Sequence, residues 1–151
     1  MNAIELLKSD HAVVADLFEQ VKATDESEHP AIFEQIKAEL DVHAHIEETI
    51  FYPKLKEDGN EELVDITLEG IEEHHQVKMF LKELAALSDA SEKFEPKLKV
   101  LIEDVEHHVE EEESEMFPLV EAQFDADVLD ELGSEMEAEK KAFQKSQSAS
   151  A

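Results

Sequence analysis

The sequence predicts an all-α fold: an up-down-up-down four-helix bundle built from two similar helix pairs, with an extra C-terminal helix. Three observations carry this. Of 151 residues, 42% are apolar and only three are Gly, and no stretch alternates like a strand. Apolar residues recur at three-and-four spacing along several long segments joined by short polar breaks. Motifs of the first half also recur in the second half, 63 to 65 residues later.

The elements follow in order. Residues 2–22 place Leu7, His11, Val14, Phe18 and Val21 on one helical face, with Ser9 a candidate cap after a short lead-in turn. TDESEHP (24–30) reads as a polar loop holding His29. The second helix is expected from about Ala31 to Glu57, with Ile36, Leu40, His43, Glu47 and Ile50 inward, and EDGN (57–60) as a turn. The third spans about 61–87, with Leu63, Ile66, Gly70, His74, Val77, Leu81 and Leu84 on one face. SDASEKFEP breaks the chain before the fourth, 95–122, with Leu98, Leu101, Val105, His108, Glu112, Met116 and Leu119 inward. These make a bundle domain over 1–122. Residues 123–145 carry a C-terminal helix of the same domain, its core at 127–144, and 146–151 (SQSASA) reads as a disordered tail.

Composition narrows the function. Forty acidic against 13 basic residues give a formal charge of −27. That surface repels phosphate backbones and anionic lipid, so neither nucleic acid nor a membrane is an expected partner. Without cysteine there is no disulfide, no thiolate metal site and no cysteine nucleophile. The start, MNAIELLKSD, shows no signal peptide and no long apolar run, so the cytoplasm is the expected location.

The repeat concentrates the chemistry. HAHIEETIFYP (43–53) and HVEEEESEMFP (108–118) both read H-x-x-x-E-E-x-x-x-aromatic-P. DHAVVADLF (10–18) and EHHQVKMFL (73–81) both begin acidic-His-x-x-Val. Each half thus offers one His on its first helix and His-x-x-x-Glu, one turn apart on one face, on its second. The set is His11, His43 and Glu47 with His74, His108 and Glu112, all on the apolar stripes. A buried ionised carboxylate costs several kcal/mol unless it is paired or holds a metal. Lys78 is the one basic residue on these stripes near the set, so metal ions are the expected counter-charge. His45 falls on roughly the opposite face and is expected exposed; His75 and His107 sit about 100° from a candidate. Glu48 and Glu113 are read as outer partners or solvated. Tyr52 and Phe117 are expected to close the bundle end.

LLKSDH, HAHIEETIFYP, EEHHQVK and HHVEEEESEMFP together resemble the hemerythrin family, in particular its bacterial HHE-type, cation-binding branch, over about residues 4–120. The resemblance implies a four-helix bundle with a di-iron centre and an oxo or hydroxo bridge. Glu47 and Glu112 would bridge two Fe ions, with His11, His43, His74 and His108 as terminal ligands. The sequence departs from the oxygen carriers of that family, which have His-x-x-x-His on the third helix. Here Gly70 and Lys78 flank His74 at four residues. Their last motif also spaces His and Asp one residue wider than His108 and Glu112.

The expected function is a non-haem di-iron protein that binds or senses O2, NO or iron. The alternative is a di-iron enzyme consuming peroxide or NO, peroxidase-like, catalase-like or NO-reducing. Imidazole with carboxylate also suits Zn or Mn. A ferritin-like oxidase would need Glu-x-x-His on two helices, and only Glu72-x-x-His75 has that spacing on a predicted helix. A metal-free structural bundle is the remaining reading.

Overall fold

The computed structural model describes residues 1–150, with side chains through Ser148. The first helix, α1 (Ala3–Ala23), starts earlier than Ser9: Asn2 caps it, accepting from the Glu5 backbone N–H while the Glu5 side chain accepts from Asn2. This reciprocal box satisfies two otherwise orphaned donors, so the helix runs unbroken through SDH. The second rod comprises α2 (His29–Ile46), a π-helical turn at Glu47–Phe51 and α3 (Tyr52–Asp58). Asn60 caps α4 (Glu61–Ala86). The fourth rod repeats the second: α5 (Phe94–Glu111), a π-helical turn at Glu112–Met116 and α6 (Phe117–Gln123). The C-terminal helix α7 (Ala126–Ser150) continues through most of the segment read as a disordered tail; Ala151 lies outside the described residues.

α1 packs on α2, α4 on α5, and α1 on α5, closing the antiparallel bundle. α7 lies along α1 and α2. It crosses the N-terminus closely, because a Cβ on Gly133 would sit 2.7 Å from the Asn2 carbonyl carbon. Two hydrophobic cores result. One gathers Leu7, Ile46, Phe51, Leu55, Leu63 and Val120 with Leu129, Leu132 and Met136 of α7. The other gathers Phe18, Phe33, Ile36, Leu81, Leu98 and Leu101. Between these cores each rod carries its polar candidates, at positions 11, 43 and 47, 74, and 108 and 112. Among the described residues no helix is long and apolar enough to cross a membrane.

Candidate metal centre

The two π-turns set the site. Each begins at the motif glutamate, and in each the aromatic residue five positions on donates its N–H to that glutamate's carbonyl: Tyr52 to Glu47 and Phe117 to Glu112. Pro53 and Pro118 come next and have no N–H for an α-helical bond. The extra residue per turn is therefore tolerated there, and such bulges gather at functional sites.

All six candidate side chains are buried. His11 and His43 lie with ring centroids 4.9 Å apart, and so do His74 and His108. Each carboxylate stands between one imidazole of each pair. Glu47 Oε1 is 3.0 Å from both His43 Nε2 and His74 Nε2. Glu112 Oε1 is 3.1 Å from His11 Nε2, and its Oε2 is 3.4 Å from His108 Nε2. Two donor groups follow, Glu47–His74–His108–Glu112 and His11–His43–Glu112, the atoms of each lying within 4.8 Å of one another.

Most of these atoms are close without being hydrogen-bonded. The Nε2 atoms of His11, His43 and His108, both oxygens of Glu47 and Oε1 of Glu112 are buried and lack a hydrogen-bond partner. A native core does not leave six such atoms pointing at one another. Lone pairs converging on a common centre are what a metal ion requires, and nitrogen and carboxylate oxygen suit divalent first-row metals. The residues present fit metal ions.

An outer ring fixes the imidazoles. Asp10 lies 3.1 Å from His43 Nδ1 and Glu73 2.6 Å from His108 Nδ1. Glu48 lies 2.9 Å from His74 Nδ1 and Glu113 2.7 Å from His11 Nδ1. A carboxylate accepting from Nδ1–H leaves the Nε2 lone pair free to face inward. Asp10 and Glu73 each precede a motif His, and Glu48 and Glu113 each follow a motif Glu, so the ring obeys the sequence repeat. Helical spacing alone assigns no role to Asp10 and Glu73 and leaves Glu48 and Glu113 as outer partners or solvated; packing makes all four partners of the imidazoles.

With protons as the only counter-ions, the carboxylates draw them onto the imidazoles. Burial works against a charged His43 or His108. Even so, Glu47 and Asp10 push His43 up to about 10, and Glu112 and Glu73 push His108 up to about 11. Burial opposes ionising Glu48, but His74 and Lys78 bring it down to about 2. A metal ion binding here would displace imidazole protons.

Tyr52 does more than close the bundle end, the role its sequence position predicts. It is core-buried as expected, but its hydroxyl enters the cluster, donating to Glu112 Oε2 and lying 3.2 Å from His74 Nε2. Burial raises its pKa well above the ordinary 10, and the Glu112 and Glu47 charges add to this. The hydroxyl uses the space left by Gly70, where a Cβ would stand 3.3 Å from it. The side chain absent from the third helix at position 70 is thus replaced, in space, by a phenol from the second rod. The equivalent of Tyr52 is Phe117, stacked on His11 with centroids 6.0 Å apart.

Other histidines lie elsewhere. His75 and His107 are exposed. His29 is a correction: it opens α2, is buried, and its Nδ1 meets Glu95 at 2.7 Å while its Nε2 meets the Val21 carbonyl at 2.8 Å. His45 is also corrected. It points away from the cluster, but α7 covers it, with Phe143 stacked at 4.3 Å and Glu139 at 2.8 Å.

A cavity of about 40 Å³ opens beside the imidazoles, lined by apolar Val14, Leu40, Val77, Leu81, Val105 and Val109. It has room for a few waters or one small molecule.

Fold and site together define a histidine–carboxylate metal-binding helical bundle. The hemerythrin HHE cation-binding domain profile matches residues 2–120, and the chain belongs to that family. The crystal structure of an HHE cation-binding domain-containing protein from Mycobacterium kansasii, a homologue of Rv2633c, superposes with a TM-score of 0.80. It is 29% identical, over 97% of this chain and 89% of that one. Uncharacterised Rv2633c of Mycobacterium tuberculosis is 30% identical, over 91% of this chain and 84% of its own length. A DNA nickase of Nostoc is 27% identical over 95% of this chain, which spans only 40% of that protein's length.

Proposed function

We propose that this chain holds two iron ions between its helix pairs and presents them to a small ligand, O2, NO or peroxide. One observation carries the reading: two buried donor groups share Glu112, and six of their atoms point inward without hydrogen-bond partners. The number of ions rests on that sharing, and the identity as iron on the family. Glu47 and Glu112 would bridge. His11 and His43 would serve one ion, and His74 and His108 the other. Tyr52 holds Glu112 Oε2 and stands ready as a further donor. Bound iron would supply Lewis acidity and redox chemistry, while the protein fixes the geometry and lines the pocket with apolar side chains. The apolar cavity against the four imidazoles supports a ligand of diatomic or peroxide size. DNA nicking is no part of the proposal, because the Nostoc protein is matched over less than half its length and this surface is strongly anionic.

Iron-loaded protein, exposed separately to O2, NO and hydrogen peroxide, tests the reading by optical spectrum and by consumption of each. A reversible spectral change with one ligand is the result expected of a binding or sensing protein. Sustained consumption of peroxide or NO would make it an enzyme. Indifference to all three would overturn the reading.

A further inference from the structure

Lys140 stands where an apolar residue would be expected. Along α7, Leu129, Leu132 and Met136 form the buried stripe, and position 140 is the next turn of that stripe. Its ammonium lies 2.5 Å from Asp10 Oδ1, and the side chain is 23% exposed. Asp10 itself is 3% exposed, and its other oxygen meets His43 Nδ1 at 3.1 Å. A cation, a buried carboxylate and an inward imidazole thus form one chain of contacts, running from α7 across α1 to α2. The same pattern occurs on the other side of the site, where Lys78 bonds Glu48 and Glu48 bonds His74. There the lysine comes from within the repeat. Here it comes from a helix that has no counterpart in either half.

We propose that Lys140 is a positioning residue for the metal centre, by which the C-terminal helix holds Asp10 and, through it, His43. The inference rests on the two-metal reading above. A buried carboxylate deprived of its cation is an uncompensated charge, so it turns outward toward solvent. His43 Nδ1 then loses a fixed acceptor, and its Nε2 is no longer held toward the cluster. α7 grips the same stretch of α2 twice more, through Glu139 and Phe143 on His45. Through these side chains the helix that lies outside the duplicated unit is coupled to the His11–His43 half of the site.

The test measures release of iron from fully loaded protein to a ferrous chelator, under anaerobic conditions, alongside the melting midpoint. Lys140→Met is expected to speed release of one of the two equivalents about 10-fold, the low end for outer-sphere changes, with the second equivalent unchanged. Lys140→Arg should restore the wild-type rate. Lys78→Met should accelerate one equivalent too, and the double variant both. Lys97→Met, which breaks an ion pair to Glu83 remote from the site, should change neither. Wild-type release kinetics in Lys140→Met would overturn the inference and leave the two-metal reading standing. So would equal acceleration of both equivalents in step with a fallen melting midpoint, which a purely structural role would give. Wild-type protein that takes up no iron would overturn both.

Discussion

One hydroxyl distinguishes the two halves of the centre. Tyr52 and Phe117 occupy equivalent positions, and only Tyr52 places a donor among the buried carboxylates. Tyr52→Phe leaves Glu112 Oε2 without that donor, so metal-free protein should lose about 1–3 kcal/mol by denaturant titration, and loaded protein should change its optical spectrum. An unchanged spectrum would mean that the phenol serves packing alone. His29 gives a prediction in pH. Burial works against its charge, but Glu95 and the Val21 and Thr24 carbonyls outweigh this and raise its pKa above the ordinary 6.5. Folded protein therefore keeps this proton to higher pH than unfolded protein does. The stability gap between wild type and His29→Gln should be widest just below pH 6.5 and shrink as pH rises through the folded pKa. A gap that widens with pH would refute the assignment. At this scale the sequence was legible where spacing is local. His43 with Glu47 and His108 with Glu112 share a face because His-x-x-x-Glu is a single turn of one helix, and His11 and His74 were legible from their matched places in the repeat and on the apolar stripes. Tyr52, Asp10 and Glu73 were not legible, because their partners lie 22 to 60 positions away and are set by packing between rods.

The helices were legible from their stripes, and the π-turns were not. A π-turn adds one residue to a helix and advances the following side chains by about 100°, a shift that apolar spacing hides and only Pro53 and Pro118 betray. Deleting Thr49, whose exposed side chain donates only to the His45 carbonyl, should restore an ordinary helix. Glu47 and Tyr52 could then no longer both face the cluster. Far-ultraviolet circular dichroism should remain helical while metal content falls; full metal content would show that the bulge has no part in the site. α7 was foreseen as a helix, but its role was not, since nothing in its stripe says which neighbours it meets. Its crossing over the N-terminus depends on Gly133. Gly133→Ala gains about 1 kcal/mol of helix propensity but drives a methyl into the Met1–Ala3 backbone. Overpacking of this kind costs about 1–3 kcal/mol, so the melting midpoint should fall. A rise would show that the terminus yields freely.

Across the whole molecule, two hydrophobic cores hold apart a polar layer that neither could stabilise alone. The chain carries a formal charge of −27, and its carboxylates crowd into the core as well as over the surface. Cations bound only by the folded state would relieve this repulsion and add stability by mass action, about 2.7 kcal/mol at a metal concentration 100 times the dissociation constant. The repeat makes this layer visible in the sequence, because residue type recurs at matched offsets. What it could not show is that each carboxylate spans the two halves, Glu47 between His43 and His74, Glu112 between His11 and His108. That bridging is the central claim. Anaerobic titration with ferrous iron, followed by elemental analysis of the desalted protein, tests it most directly. Wild type and His45→Ala should retain about two irons per chain, and Glu47→Ala and Glu112→Ala should lose most of theirs, as expected when a shared ligand is removed. Wild type that retains none, or either glutamate variant that retains two, would contradict the account.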